Sequence, residues 1–169
     1  MIPVVDLTRQ HAALRSELAA AMGRVLDSAR FVLGDEMQAT ILRVKLGRLG
    51  KWTEARRRIA ARYTQQLGGL GLELPTERGP ARHVYHLYTV RHPQRDNLAK
   101  ILAERGVGTA VHYPTPVPAQ PMFGPRDERQ WPEAARAARE VLSLPCVAEL
   151  RDEEIATVIE AVREGCEKI

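Results

Sequence analysis

The sequence predicts an α/β fold: an N-terminal helix and a long linking helix, then a small α/β layer. Three observations predict it. Apolar residues recur at three- and four-residue intervals from Thr8 to Ser28 and again from Asp35 to Gly68. The stretch Val84–Arg91 alternates and is rich in β-formers. Beyond it, short apolar runs and amphipathic stretches take turns, separated by Gly and Pro. The chain divides into an arm with its helix over residues 1–34 and a second part over residues 35–169.

Residues Met1–Leu7 read as an extended arm, and Thr8 is placed to cap the first helix. The stripe of that helix is Leu14, Leu18, Met22 and Val25. The segment ARFVLG, residues 29–34, breaks the pattern and Gly34 stops it. Asp35 suits the positive end of a second helix. Leu42, Leu46, Leu49, Trp52, Ile59, Tyr63 and Leu67 run along it as one apolar face. Gly47 and Gly50 weaken its first half by ~1 kcal/mol each relative to alanine.

A loop containing Pro75, Gly79 and Pro80 leads to the strand over residues 84–91. The next helix, Gln94–Arg105, turns Leu98, Ile101 and Leu102 inward and closes at Gly106, a glycine placed just past the helix end. A second strand is expected over residues 107–112. Five prolines, at 114, 116, 118, 121 and 125, then fix an irregular loop. Pro132 begins a helix to residue 140, Val141–Leu144 forms a third strand stopped by Pro145, and the last helix covers Arg151–Gly165.

Composition narrows the function classes. Apolar residues make up 44% of the 169 and charged residues 27%, enough to bury a core and too balanced for disorder. Net charge is +4, with only four lysines, Lys45, Lys51, Lys100 and Lys168. The triple arginine Arg56-Arg57-Arg58 reads as a solvated helix face, and no helix-turn-helix, zinc finger or RNP motif supports nucleic-acid binding. Cys146 and Cys166 have neither metal nor redox spacing, so the thiols are expected reduced. MIPVVDL lacks a basic n-region and no apolar run approaches the ~20 residues of a membrane helix. A cytoplasmic protein that meets neither membrane nor nucleic acid is expected.

Two segments carry groups capable of chemistry. His83, Tyr85, His86 and Tyr88 share the first strand, either as ligand groups or as half-buried strand residues. His83 and His86, three apart, face opposite sides of a strand and make no metal pair. His112-Tyr113-Pro114 ends the second strand on a stiff loop, either as a substrate rim or as a tyrosine plugging the loop. The candidate rim residues are His86, His112, Tyr113 and Gln120; no catalytic, cofactor-binding or metal residue is identified. No GxGxxG, Walker, GxSxG or HExxH motif occurs.

A wider resemblance joins these pieces. IPVVDL followed by a helix and VLDSARFVLG resembles the N-terminal arm of the DegT/DnrJ/StrS sugar aminotransferases, which commonly begin IPfvDL and continue to an SGryilG-type turn. DEMQATILRVKLGRLGKWTEARRRIAARY is similar to a later helix of that family. HVYHLYTVR, RDNLAKILAERGVGTAVHYPTPV and PEAARAAREVLSLP follow in family order. The second part, 35–169, thus resembles the long helix and small C-terminal domain of a fold-type I pyridoxal phosphate (PLP) aminotransferase.

In that family the positions matching Gly34 and Asp35 are separated by the whole large domain; here they are adjacent. The resemblance therefore implies that the Schiff-base lysine, the acidic partner of the pyridine nitrogen and the phosphate cup are missing, so no cofactor is expected in this chain. Activity in the intact family would move an amino group, usually from glutamate, onto a nucleotide-linked keto-sugar through PLP. Val32-Leu33-Gly34 stands where the family often has Asn-x-Arg, and Pro118 replaces the second histidine of HYPxPxHxQ, whereas His112, Tyr113 and Gln120 match. A remnant that cannot transaminate alone is expected. The alternative is a non-catalytic dimerisation or binding module that associates with itself or with a full-length relative.

Overall fold

A computed structural model describes residues 1–28, 35–124 and 127–169. The ARFVLG turn with Gly34, the Val32-Leu33-Gly34 departure and Pro125 lie outside the described residues. Six α-helices are described: α1 (Leu7–Ser28), α2 (Asp35–Leu46), α3 (Leu49–Leu67), α4 (Arg95–Glu104), α5 (Pro132–Glu140) and α6 (Asp152–Glu167). Two strands, β1 (Tyr88–Arg91) and β2 (Val141–Leu144), pair antiparallel, with Tyr88 opposite Leu144 and Thr89 opposite Ser143. The result is the expected helical N-terminal part and small α/β layer.

Three elements differ from expectation. The linking helix is broken into α2 and α3 by a turn at Gly47-Arg48, where the Arg48 amide donates to the Lys45 carbonyl. Glycine at 47 and 50 removes the propensity that would carry the helix through. The first strand starts at Tyr88, not at residue 84, because Tyr85 takes a left-handed backbone (φ 47°) that ends the alternation. Residues 107–112 form no strand. Val107 pairs with Ile2 of the arm and Ala110 pairs with Ser143 of β2, so the segment changes partner before a ladder can run. The cap of α1 also lies two residues earlier than expected: Asp6, not Thr8, accepts from the amides of Thr8 and Arg9.

The core lies between the sheet and α3, α4 and α6. Alternation puts Tyr88, Val90, Leu142 and Leu144 on the helix-facing side of the strands, all buried. Against them pack Ile59, Tyr63 and Leu67 of α3, Leu98 and Leu102 of α4, and Ile155, Val158, Ile159 and Val162 of α6. Tyr63 ties helix to sheet: its ring meets Tyr88 edge-on at 5.1 Å and its hydroxyl donates to the Pro145 carbonyl at 2.8 Å. Gly106, with φ 74°, ends α4 as expected, and the amides of Gly106 and Val107 donate back to Ala103 and Leu102.

The arm is docked on this layer. Ile2 exchanges two backbone hydrogen bonds with the strand-like segment, its amide to Gly106 (2.7 Å) and its carbonyl from Gly108 (2.8 Å). The contact is close enough that a Cβ at Gly108 would lie 3.0 Å from the Ile2 carbonyl oxygen. The other helical part is less covered. In α1, Leu14 and Ala21 are buried while Leu18, Met22 and Val25 are half-buried. Leu42, Leu46 and Leu49 are exposed at 63%, 67% and 46%, and Trp52 is half-buried. No described helix is long and apolar enough to cross a membrane.

Candidate functional site

The back of the sheet, opposite the helical core, carries Thr89 and Ser143. Ser143 is fully buried, and its hydroxyl bridges two partners, Thr89 Oγ1 and His112 Nδ1, each at 2.9 Å. A buried hydroxyl needs such partners, and here they peg His112 to β2. Tyr113 follows with its ring turned out, 73% exposed and edge-on to the His112 ring. Two prolines on, the loop winds into short 3-10 turns over Val117–Ala119 and Pro121–Phe123. Gln120 sits between them, half-buried, with its side-chain amide 3.4 Å from the Thr115 carbonyl. The structure thus puts His112, Tyr113 and Gln120 on one stiff loop, its root fixed and its tyrosine offered outward.

His86 stands elsewhere. It lines a cavity of about 120 Å3 that the arm closes: residues 4–7 and Gln10 form one wall, Arg56, His86 and residues 146–149 the other. Its position follows from the Tyr85 turn. The Tyr85 amide donates to His83 Nδ1 (2.9 Å), the two rings meet at 4.4 Å, and Arg57 donates to the His83 carbonyl. Arg57 in turn pairs with Glu77 at 2.9 Å, which holds that carboxyl below the usual carboxylate range, although Glu77 is exposed. His83 is thereby a structural fixture of the turn.

Arg56 lines the cavity, although its place in the triple arginine predicts a solvated basic face. It is instead half-buried, with its Nε enclosed and without a hydrogen-bond partner. Cys146 is also in this wall. Burial pushes its thiol up to about 12, and its Sγ faces the Arg56 carbonyl at 3.8 Å, so it is a packing group and no nucleophile. Among the described residues no cluster of three or more His, Cys, Asp or Glu is arranged to hold a metal ion.

The four lysines do not converge on either place. Lys45 is on α2, Lys51 on α3, Lys100 on α4 and Lys168 just past α6; the last three are exposed. Lys45 lines a groove with Leu42, Leu46, Leu49 and Trp52.

Comparison with known proteins gives these features a family. The chain is 46% identical over 135 residues to the pleiotropic regulatory protein of Geobacillus stearothermophilus, covering 77% of this chain and 36% of that one. It is 41% identical over 138 residues to the dTDP-3-amino-3,4,6-trideoxy-alpha-D-glucose transaminase of Streptomyces venezuelae, covering 80% and 36%. Among solved structures, S. venezuelae DesV in complex with a ketimine intermediate superposes with a TM-score of 0.76 at 41% identity, over 79% of this chain and 37% of that one. The PLP form of the putative sugar aminotransferase Spr1654 from Streptococcus pneumoniae gives 0.68 at 25% identity, over 79% and 36%. The chain therefore spans little more than a third of the length of these relatives. Residues 33–163 match the DegT/DnrJ/EryC1/StrS aminotransferase family, and the chain belongs to it.

Proposed function

We propose that this chain is the remnant of a PLP-dependent nucleotide-sugar aminotransferase, an N-terminal arm and helix over 1–34 joined to a small domain over 35–169, and that it does not transaminate alone. The observation that carries the reading is the placement of the lysines. A Schiff-base lysine must be held partly neutral inside a pocket that also grips the cofactor's phosphate and ring nitrogen. Lys51, Lys100 and Lys168 stand in solvent, and Lys45 borders an open apolar groove. These residues do not fit PLP. The short span relative to the S. venezuelae transaminase fits a fragment of such an enzyme.

The test is direct. Purified chain mixed with PLP and reduced with borohydride should show weak labelling spread over several lysines. It should also fail to move the amino group of glutamate to nucleotide-linked keto-sugars. Stoichiometric trapping of one lysine, or amino transfer by this chain alone, overturns the proposal.

A second reading, a non-catalytic module that pairs with itself or with a full-length relative, is favoured by one observation. Leu42, Leu46 and Leu49 present an exposed apolar row on α2 and the start of α3. Contiguous apolar surface of this kind usually marks association. Co-purification with an intact relative from cells expressing both distinguishes this reading from a solitary remnant.

A further inference from the structure

We propose that the arm-closed cavity is a binding site for a small monocarboxylate, recognised by the Arg56 guanidinium and the His86 imidazole. The proposal concerns a cavity between the arm and α3 and stands whether or not the chain has any part in amino transfer.

Four observations converge on it. The cavity, about 120 Å3, has room for a small organic acid. Its walls mix apolar surface from Val4, Val5 and Val147 with the polar side chains of Gln10, Arg56 and His86 and the carboxylates of Asp6 and Glu149. Arg56 brings a half-buried guanidinium whose Nε is enclosed and donates to nothing, and no ion pair within 4.0 Å engages it among the described residues. Every other arginine of α3 that is half-buried has a carboxylate: Arg57 has Glu77 and Arg62 has Asp152. A planar fork of donors left without an acceptor is matched by a carboxylate, which takes two N–H bonds at once.

The fourth observation is the backbone at Tyr85. A left-handed tyrosine is costly and persists only where its surroundings hold it. Here the His83 ring, Arg57 and Glu77 hold it, and the outcome is that the next residue, His86, lines the cavity. An extended strand through residue 85 would have continued the sheet instead.

The charge around the cavity limits the ligand. Asp6 and Glu149 also line it. Asp6 is engaged by Arg9 Nε at 3.0 Å and by the first amides of α1. Glu149 has no such partner among the described residues. Glu149 offsets the Arg56 charge, so any anion must be held by the paired N–H bonds of the guanidinium, and a dianion such as sulfate is opposed more strongly than a monoanion.

The experiment is an NMR titration of the full chain with sodium acetate, with sodium chloride at matched ionic strength and with sodium sulfate. Acetate should give saturable shifts centred on the amides around Arg56, His86 and Val147, while chloride and sulfate give none there. Arg56→Gln should weaken acetate binding roughly tenfold or more, the loss expected when a charge-assisted pair of hydrogen bonds is removed. Arg58→Gln, on the exposed side of α3, should leave it unchanged. His86→Ala, outside the core, keeps the test open should Arg56→Gln fail to fold, and should weaken binding as well. Non-saturable acetate shifts, sulfate binding as tight as acetate, or undiminished binding by both folded variants overturns the proposal.

Discussion

Arg9 and Glu154, 145 residues apart in sequence, meet in a two-pronged ion pair, with Nη1 and Nη2 each 2.8 Å from a different carboxylate oxygen. Asp6 lies 3.0 Å from the Nε of the same guanidinium, and the Arg151 amide donates to Glu154 at 3.0 Å. The start of α1 is thus clamped to the start of α6.

This clamp sets an acid limb. The Arg9 hydrogen bonds, helped by the Arg151 amide and side chain, hold the Glu154 carboxyl well below its ordinary value of 4.5 against the opposing effect of burial. A carboxyl whose folded value is depressed stabilises the fold fully above its unfolded value and loses that contribution as pH falls towards the folded one. Wild-type Tm should therefore fall as pH drops below about 4.5. Glu154→Gln should lower Tm at neutral pH and flatten that limb. A variant whose Tm tracks wild type at every acid pH refutes the role of the clamp.

Tyr63→Phe should cost about 1–3 kcal/mol, because it strands the Pro145 carbonyl in the core without its donor. Urea denaturation of the two proteins measures it directly. Leu98→Ala, which opens a void between α4 and α6, should cost about 2–5 kcal/mol by the same measurement.

Gly106 and Gly108 should respond differently to alanine. At Gly106 the backbone is left-handed (φ 74°), so Gly106→Ala should destabilise the whole domain by about 1–2 kcal/mol. At Gly108 the new methyl presses on the Ile2 carbonyl oxygen. Gly108→Ala should loosen the arm, seen as faster proteolysis at residues 3–8 with a smaller change in global stability.

Leu42→Glu with Leu46→Glu should shift the light-scattering mass at high concentration from oligomer towards monomer, since the exposed row on α2 would then repel a second apolar surface. A wild-type chain that is monomeric at every concentration counts against association through this face.

Ellman's reagent should leave Cys146 unmodified in the folded protein at pH 8, where burial keeps its thiol protonated, and should titrate it after unfolding. Rapid native-state labelling of Cys146 contradicts that burial.

The helices of the α/β layer were legible because each carries its own punctuation: Pro132 at the start of α5, Gly106 after α4, and the Ile155–Val162 stripe of α6. Val141–Leu144 was legible because Pro145 stops it. What local pattern cannot express is a partner far away in sequence. Val107 and Ala110 have strand-like neighbours, yet their partners, Ile2 and Ser143, belong to different elements. Likewise His112 was visible as a candidate, whereas Ser143, the buried hydroxyl that fixes it, looked like an ordinary strand residue. Arg56 was concealed among three arginines, and only the packing of the arm distinguishes it from Arg58, which stays exposed.

The pairing of Ile2 with Val107 also imposes an order on biosynthesis. The arm is made before its partners: the Gly106 carbonyl and the Gly108 amide follow about a hundred residues later, and the carboxylate that receives Arg9 later still. Throughout elongation α1 therefore has no anchor on the nascent α/β layer. Contacts so distant in sequence form late, because the intervening chain must be closed first. The arm is in this sense a finishing stitch: the layer has to exist before Ile2 can be sewn to it.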